Sequence, residues 1–144
     1  MGFEIAVAIN ATTEVVWAVL TDVEHWPQWT ASVKTVTRLD GADLCLGSRV
    51  EIKQPKLPTM LWTVTELDPG RSFTWQAKRT GATMRARHQL RGLAEGPVHV
   101  TLGVDQSGPI GRLLGAPPFS TFAKRYVQME ADGLKQRSEG RPAR

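Results

Sequence analysis

The spacing of apolar positions changes character several times along the chain. Phe3, Ile5, Val7 and Ile9 fall at every second residue, the period of a strand with one buried face. Asn10, Thr12 and Thr13 then supply helix-starting side chains and Glu14 suits a first turn. The run Val15, Val16, Trp17, Ala18, Val19, Leu20 is apolar nearly all round, which predicts a short, mostly covered helix. Asp22 is placed to cap a second short helix. Pro27 disfavours a helical conformation at Trp26 and removes a backbone donor, so the chain is expected to bend through Trp26 and Trp29.

From Ser32 to Gln106 the pattern becomes short runs parted by turn residues, the spacing of an antiparallel meander. Six strands are expected, over residues 33–39, 48–54, 59–67, 71–78, 82–92 and 98–106. The clearest alternation puts Ala82, Met84, Ala86, His88 and Leu90 on one face with polar residues between them, which a strand explains and a helix does not. The same parity assigns Val50, Ile52, Gln54, Trp62, Val64, Phe73, Trp75, Ala77, Val98, Val100, Leu102 and Val104 to the inner face. After Gly108 and Pro109, residues 110–115 suggest a turn or two of helix that Pro117 and Pro118 end. A longer helix is expected over 119–136, where Phe119, Phe122, Tyr126, Met129 and Gly133 recur at steps of three and four as one stripe needing a partner surface.

Composition narrows the class. A chain of 144 residues is near the commonest single-domain size and buries about two-thirds of its unfolded surface without metal or disulfide. The expected organisation is one domain over residues 1–138 and a flexible basic tail over 139–144. Cys45 is the only cysteine, so no internal disulfide forms, and a reduced cytoplasm is the expected location. No apolar run approaches a membrane span and no signal-peptide order opens the chain. The net charge of +4 comes without a recognition motif, so nucleic acid is not an expected partner. The histidines and Cys45 lack metal-ligand spacing, and neither a metal nor a cofactor is expected.

These elements predict an α+β sandwich with a long C-terminal helix on the apolar face of one sheet. The inner faces mix bulky residues (Trp62, Phe73, Trp75, Phe122) with small ones (Ala77, Ala82, Ala86, Gly133). Read from residues alone, that mixture is either a ligand pocket or a filled core.

Several stretches then carry a resemblance: residues 11–22 after the first strand, Trp26-Pro27-Gln28-Trp29, Leu46-Gly47-Ser48-Arg49-Val50, residues 67–75, His88-Gln89-Leu90 and residues 129–135. In these the chain resembles the START-like superfamily, in its polyketide cyclase/dehydrase (SRPBCC) branch, over about residues 3–138. The resemblance implies a helix-grip fold: a seven-stranded antiparallel sheet wrapped around the long C-terminal helix, two short helices after strand 1, and an internal cavity. It also implies that Trp17, Trp26 and Trp29 wedge those two helices against the sheet, and that the protein binds a hydrophobic or amphipathic small molecule. The alternative it implies is a polyketide aromatase/cyclase or dehydratase using the same cavity.

The ligand-binding candidates are Trp26, Trp29, Gln54, Trp62, Trp75, Met84, His88, Phe119, Phe122, Tyr126 and Met129. His88 on the inner face is either an acid, base or donor to a ligand oxygen or a satisfied core histidine. Tyr126 offers a phenol proton to a ligand or to a protein group, and the two are the only catalytic candidates. Glu66 and Glu130 have no evident partners in the sequence, so no paired-carboxylate mechanism follows. Arg85, Arg87 and Arg91 line the outer face of one strand with Arg79 nearby, a solvated surface or a docking site for an acidic partner. A homodimer is compatible with this reading, and stable membrane insertion is not expected.

Overall fold

The computed structural model describes residues 2–41, 43–92, 96–110 and 119–140. Strand β1 (Gly2–Ile9) runs into helix α1 (Thr13–Thr21), where the Thr12 side chain caps the start by accepting from the Val15 backbone N–H at 3.1 Å. The second short helix is a 3-10 segment, Val23–Gln28. Asp22 does not cap it with its side chain, contrary to expectation: the carboxylate is 2.7 Å from His25 Nδ1 instead. Six strands follow: β2 (Thr35–Arg38), β3 (Arg49–Lys53), β4 (Met60–Asp68), β5 (Ser72–Arg79), β6 (Ala82–Arg91) and β7 (Val98–Ser107). The final helix, α2, is Phe119–Gly140. The short helix expected over 110–115 lies, beyond Ile110, outside the described residues.

The seven strands form one antiparallel sheet in the order β1-β7-β6-β5-β4-β3-β2. Residues 10–34 carry the chain from the β1 edge to the β2 edge, and successive hairpins return it to β7 beside β1. A register shift between Val64 and Glu66 breaks the β4–β5 ladder, the kind of bulge that bends a sheet and sharpens its twist. The parity read from the sequence holds, with Val50, Val64, Phe73, Trp75, Ala77, Val100 and Leu102 all buried.

Helix α2 packs on β1, β7 and α1. It runs past the expected end at residue 136 because the charged residues there are ties. Lys135 Nζ donates to the Ala8 carbonyl at 2.8 Å and to Glu139 at 2.7 Å, and the Glu139 carboxylate accepts the Asn10 N–H at 2.7 Å. These bonds fix one end of α2 to the end of β1. Among the described residues no helix is long and apolar enough to cross a membrane.

Candidate functional site

The two-tryptophan bend sets the closed end of the sheet. Trp26 is buried, its indole N–H donates to the Leu20 carbonyl at 2.9 Å, and its ring centroid lies 5.5 Å from both Trp29 and Trp75 and 6.0 Å from His88. An indole there fills volume and also satisfies a helix-end carbonyl, which leucine cannot do. On the other side of the bend, α2 crosses Trp29 at Gly133, where a Cβ would overlap the Trp29 backbone carbonyl. Trp17 packs edge-on against Phe73 at 6.2 Å.

Between this closed end and the opposite rim, the sheet and α2 enclose a cavity of about 440 Å³, within the size range of small-molecule sites. Trp26, Trp62, Trp75, Met84 and Phe122 supply apolar wall, and Gln54, His88 and Tyr126 supply polar points. Trp29 and Met129 are not part of that wall, and the side chain of Phe119 lies outside the described residues. The helix faces the cavity through Phe122, Ala123, Tyr126, Val127 and Glu130, a stripe turned slightly from the expected one through Met129 and Gly133.

Two of the polar points are committed to protein partners. Gln54 Nε2 donates to the Ser32 carbonyl at 3.2 Å, and the Tyr126 hydroxyl donates to the Pro55 carbonyl at 2.5 Å. The second bond ties the 54–58 loop to α2. Lys56 in that loop has φ 67°, a left-handed conformation that a non-glycine residue holds only when its surroundings impose it.

His88 is the third. Its ring stacks on Phe73, with centroids 4.1 Å apart and an 11° interplanar angle, and Nδ1 lies 3.2 Å from the Phe73 carbonyl oxygen. A carbonyl only accepts, so the proton belongs on Nδ1 and the lone pair on Nε2. Nε2 is 3.9 Å from Oε1 of Glu130, whose side chain is 14% exposed and lines the cavity. This corrects the expectation that Glu130 has no partner. Four residues beyond Tyr126 and eight beyond Phe122, it shares their helical face; that spacing was the signal for it.

Removal from water raises the Glu130 carboxyl from its ordinary 4.5 to about 8. The same cause lowers His88 from 6.5 to about 4, with the Phe73 carbonyl opposing it. Both groups are neutral at pH 7, one an O–H donor and the other an Nε2 acceptor. A separation of 3.9 Å is too long for a direct hydrogen bond. A single ligand oxygen set between them would accept from the acid and, as a hydroxyl, donate to the imidazole. Among the described residues no group of three or more His, Cys, Asp or Glu side chains forms a metal site.

The family model described as "Polyketide cyclase / dehydrase and lipid transport" matches residues 2–139. Among solved structures, a START superfamily protein from Mycobacterium smegmatis is similar at 16% identity and a TM-score of 0.76, covering 95% of this chain and 96% of that one. The Zhui aromatase/cyclase from Streptomyces sp. R1128 is similar at 16% identity and a TM-score of 0.75, covering 96% and 93%. The Aha1 dimer from Colwellia psychrerythraea is similar at 16% identity and a TM-score of 0.72, covering 97% of each chain. No curated protein matches the sequence. At these identities the structural likeness shows the fold, a seven-stranded antiparallel sheet gripping a C-terminal helix.

Proposed function

The chain belongs to the START-like polyketide cyclase / dehydrase and lipid transport family, and we propose that it holds a hydrophobic or amphipathic small molecule between its sheet and α2. The observation that supports this is the cavity itself, about 440 Å³ walled by Trp26, Trp62, Trp75, Met84 and Phe122. Burying a guest there gains roughly 25 cal/mol per Å² of apolar surface before ordering costs. The His88–Glu130 pair would orient one hydroxyl or keto oxygen of that guest. Cavity tryptophans make the reading testable: the neutral probe N-phenylnaphthylamine should quench them saturably in the native protein. In Ala86→Trp, whose new indole occupies the space, the quenching should vanish. Equal quenching in both proteins would remove the cavity from the account.

The same pair favours a second reading, an aromatase/cyclase or dehydratase. A neutral acid opposite a neutral base in a water-poor site is the arrangement that moves a proton onto a leaving hydroxyl while taking one from carbon. If turnover is the function, Glu130→Gln should lower kcat by about a hundredfold or more while changing apolar probe affinity little. A binder shows no turnover to lose.

A further inference from the structure

The cavity opens at the end of the sheet where Pro58, Arg79, Thr80 and Ile110 are both exposed and part of its lining. Among the described residues the charges around that opening are of one sign. Its rim comes from residues 53–60, 78–83, 106–110 and 120–126, and no aspartate or glutamate occurs in any of these four segments. Lys53, Lys56, Lys78, Arg79, Lys124 and Arg125 all do. Glu4 and Asp105, on the outer face near this end, are both held by Arg87, at 2.8 and 3.0 Å. Acidic residues gather at the opposite end instead: Asp40 and Asp43 between β2 and β3, Asp68 at the β4–β5 turn, Glu139 against Asn10. That end also carries Arg38, Arg49, Arg71 and Lys135, with Arg49 paired to Asp40 and Lys135 to Glu139, so it is mixed in sign where the rim is cationic.

Arg79 is the cation of this rim that faces inward. It follows Phe73, Trp75 and Ala77 at steps of two on β5, so strand parity puts it on the cavity face at the strand end. Its neighbour is a poor acceptor: Nη1 lies 3.5 Å from Met60 Sδ, and among the described residues no carboxylate pairs with it. Lys53, by contrast, has its ammonium bonded to the Gln54 and Leu57 carbonyls, and the Lys124 ammonium lies 5.8 Å from the Phe3 ring centroid.

Building on the cavity-binding reading, we infer that Arg79 is an anion subsite and that the ligand is an amphipathic anion, its hydrocarbon body in the cavity and its carboxylate or phosphate at the rim. Ala82 pairs with Arg79 across the hairpin and His88 lies six residues further along β6, roughly 20 Å at about 3.4 Å per residue. The molecule is therefore long and polar at both ends: an acid group at the mouth and one oxygen at the His88–Glu130 end.

Dodecanoic acid, dodecyl phosphate and dodecanol share one chain and differ in the head, so titrating each against tryptophan fluorescence isolates the rim. The native protein should bind at least one anion about fivefold or more tighter than the alcohol at low salt, and high salt should shrink that ratio. Which anion is preferred identifies the head as carboxylate or phosphate. Arg79→Gln should bring the ratio to within about twofold, while Arg71→Gln, at the far end, should leave it unchanged. Equal affinity for acid, phosphate and alcohol in the native protein, or an anion preference that survives Arg79→Gln, overturns the subsite while leaving the cavity-binding reading intact. No binding of any of the three overturns both.

Discussion

Replacing Glu130 by glutamine preserves the shape of the protonated carboxyl and removes its titration. In the folded chain the carboxyl holds its proton to about pH 8, whereas 4.5 is its ordinary value. A raised folded-state value means that stability is full below pH 4.5 and is lost as pH climbs towards 8, because the unfolded chain gains by ionising and the folded chain does not. At 1.36 kcal/mol per pH unit over the 2.5 units from 4.5 to 7, the loss at pH 7 is about 3 kcal/mol. His88 has the opposite slope: lowered from 6.5 to about 4, it contributes stability above pH 6.5 that is lost as pH falls towards 4. Between pH 4.5 and 6.5 the pair carries one proton in either state, on Glu130 when folded and on His88 when unfolded, so the two slopes cancel. The native protein alone would hide the effect there, and the difference between proteins exposes it. Urea denaturation of native and Glu130→Gln protein at pH 4, 5.5, 7 and 8 should show the variant gaining on the native protein by about 3 kcal/mol between pH 4 and 7. A difference that does not change with pH would mean that Glu130 is ionised at neutral pH, and the neutral donor–acceptor pair would be refuted.

Other substitutions test the frame around the cavity. Gly133→Ala should destabilise by about 1–3 kcal/mol by urea denaturation, since its Cβ meets the Trp29 backbone carbonyl; a stability gain approaching 1 kcal/mol, the helix-propensity preference for alanine, would show that α2 does not cross there so closely. Trp26→Phe leaves the Leu20 carbonyl without its indole donor and should cost about 2–3 kcal/mol, and a loss under about 0.5 kcal/mol would contradict the structural role of the bend. Tyr126→Phe removes the bond from α2 to the Pro55 carbonyl, worth about 1 kcal/mol. Stopped-flow probe uptake should then be about fivefold faster, and an unchanged rate would show that the 54–58 loop does not limit entry.

The sheet was legible because large apolar residues recur at every second position along its strands, most cleanly in β6, and one buried face forbids a register slip. The cavity was less so, because alternation reports which face is covered and not whether the covered volume is filled. Glu130 went unrecognised for a related reason. A glutamate in a charged helix reads as solvent-facing, and its meaning depends on His88, 42 residues earlier, which only the closed fold brings within 3.9 Å. Met129 and Gly133 entered the stripe as small or apolar residues at helical spacing, yet α2 turns Gly133 towards Trp29 and its cavity face towards the sheet. The end of α2 was obscured by charge: Lys135 and Glu139 look like a frayed terminus until they are seen binding Ala8 and Asn10.

Native mass spectrometry of the protein with excess N-phenylnaphthylamine measures directly whether the space between sheet and helix takes a guest. The account predicts one bound probe per native chain and none in Ala86→Trp. The same bound fraction in both proteins would contradict it.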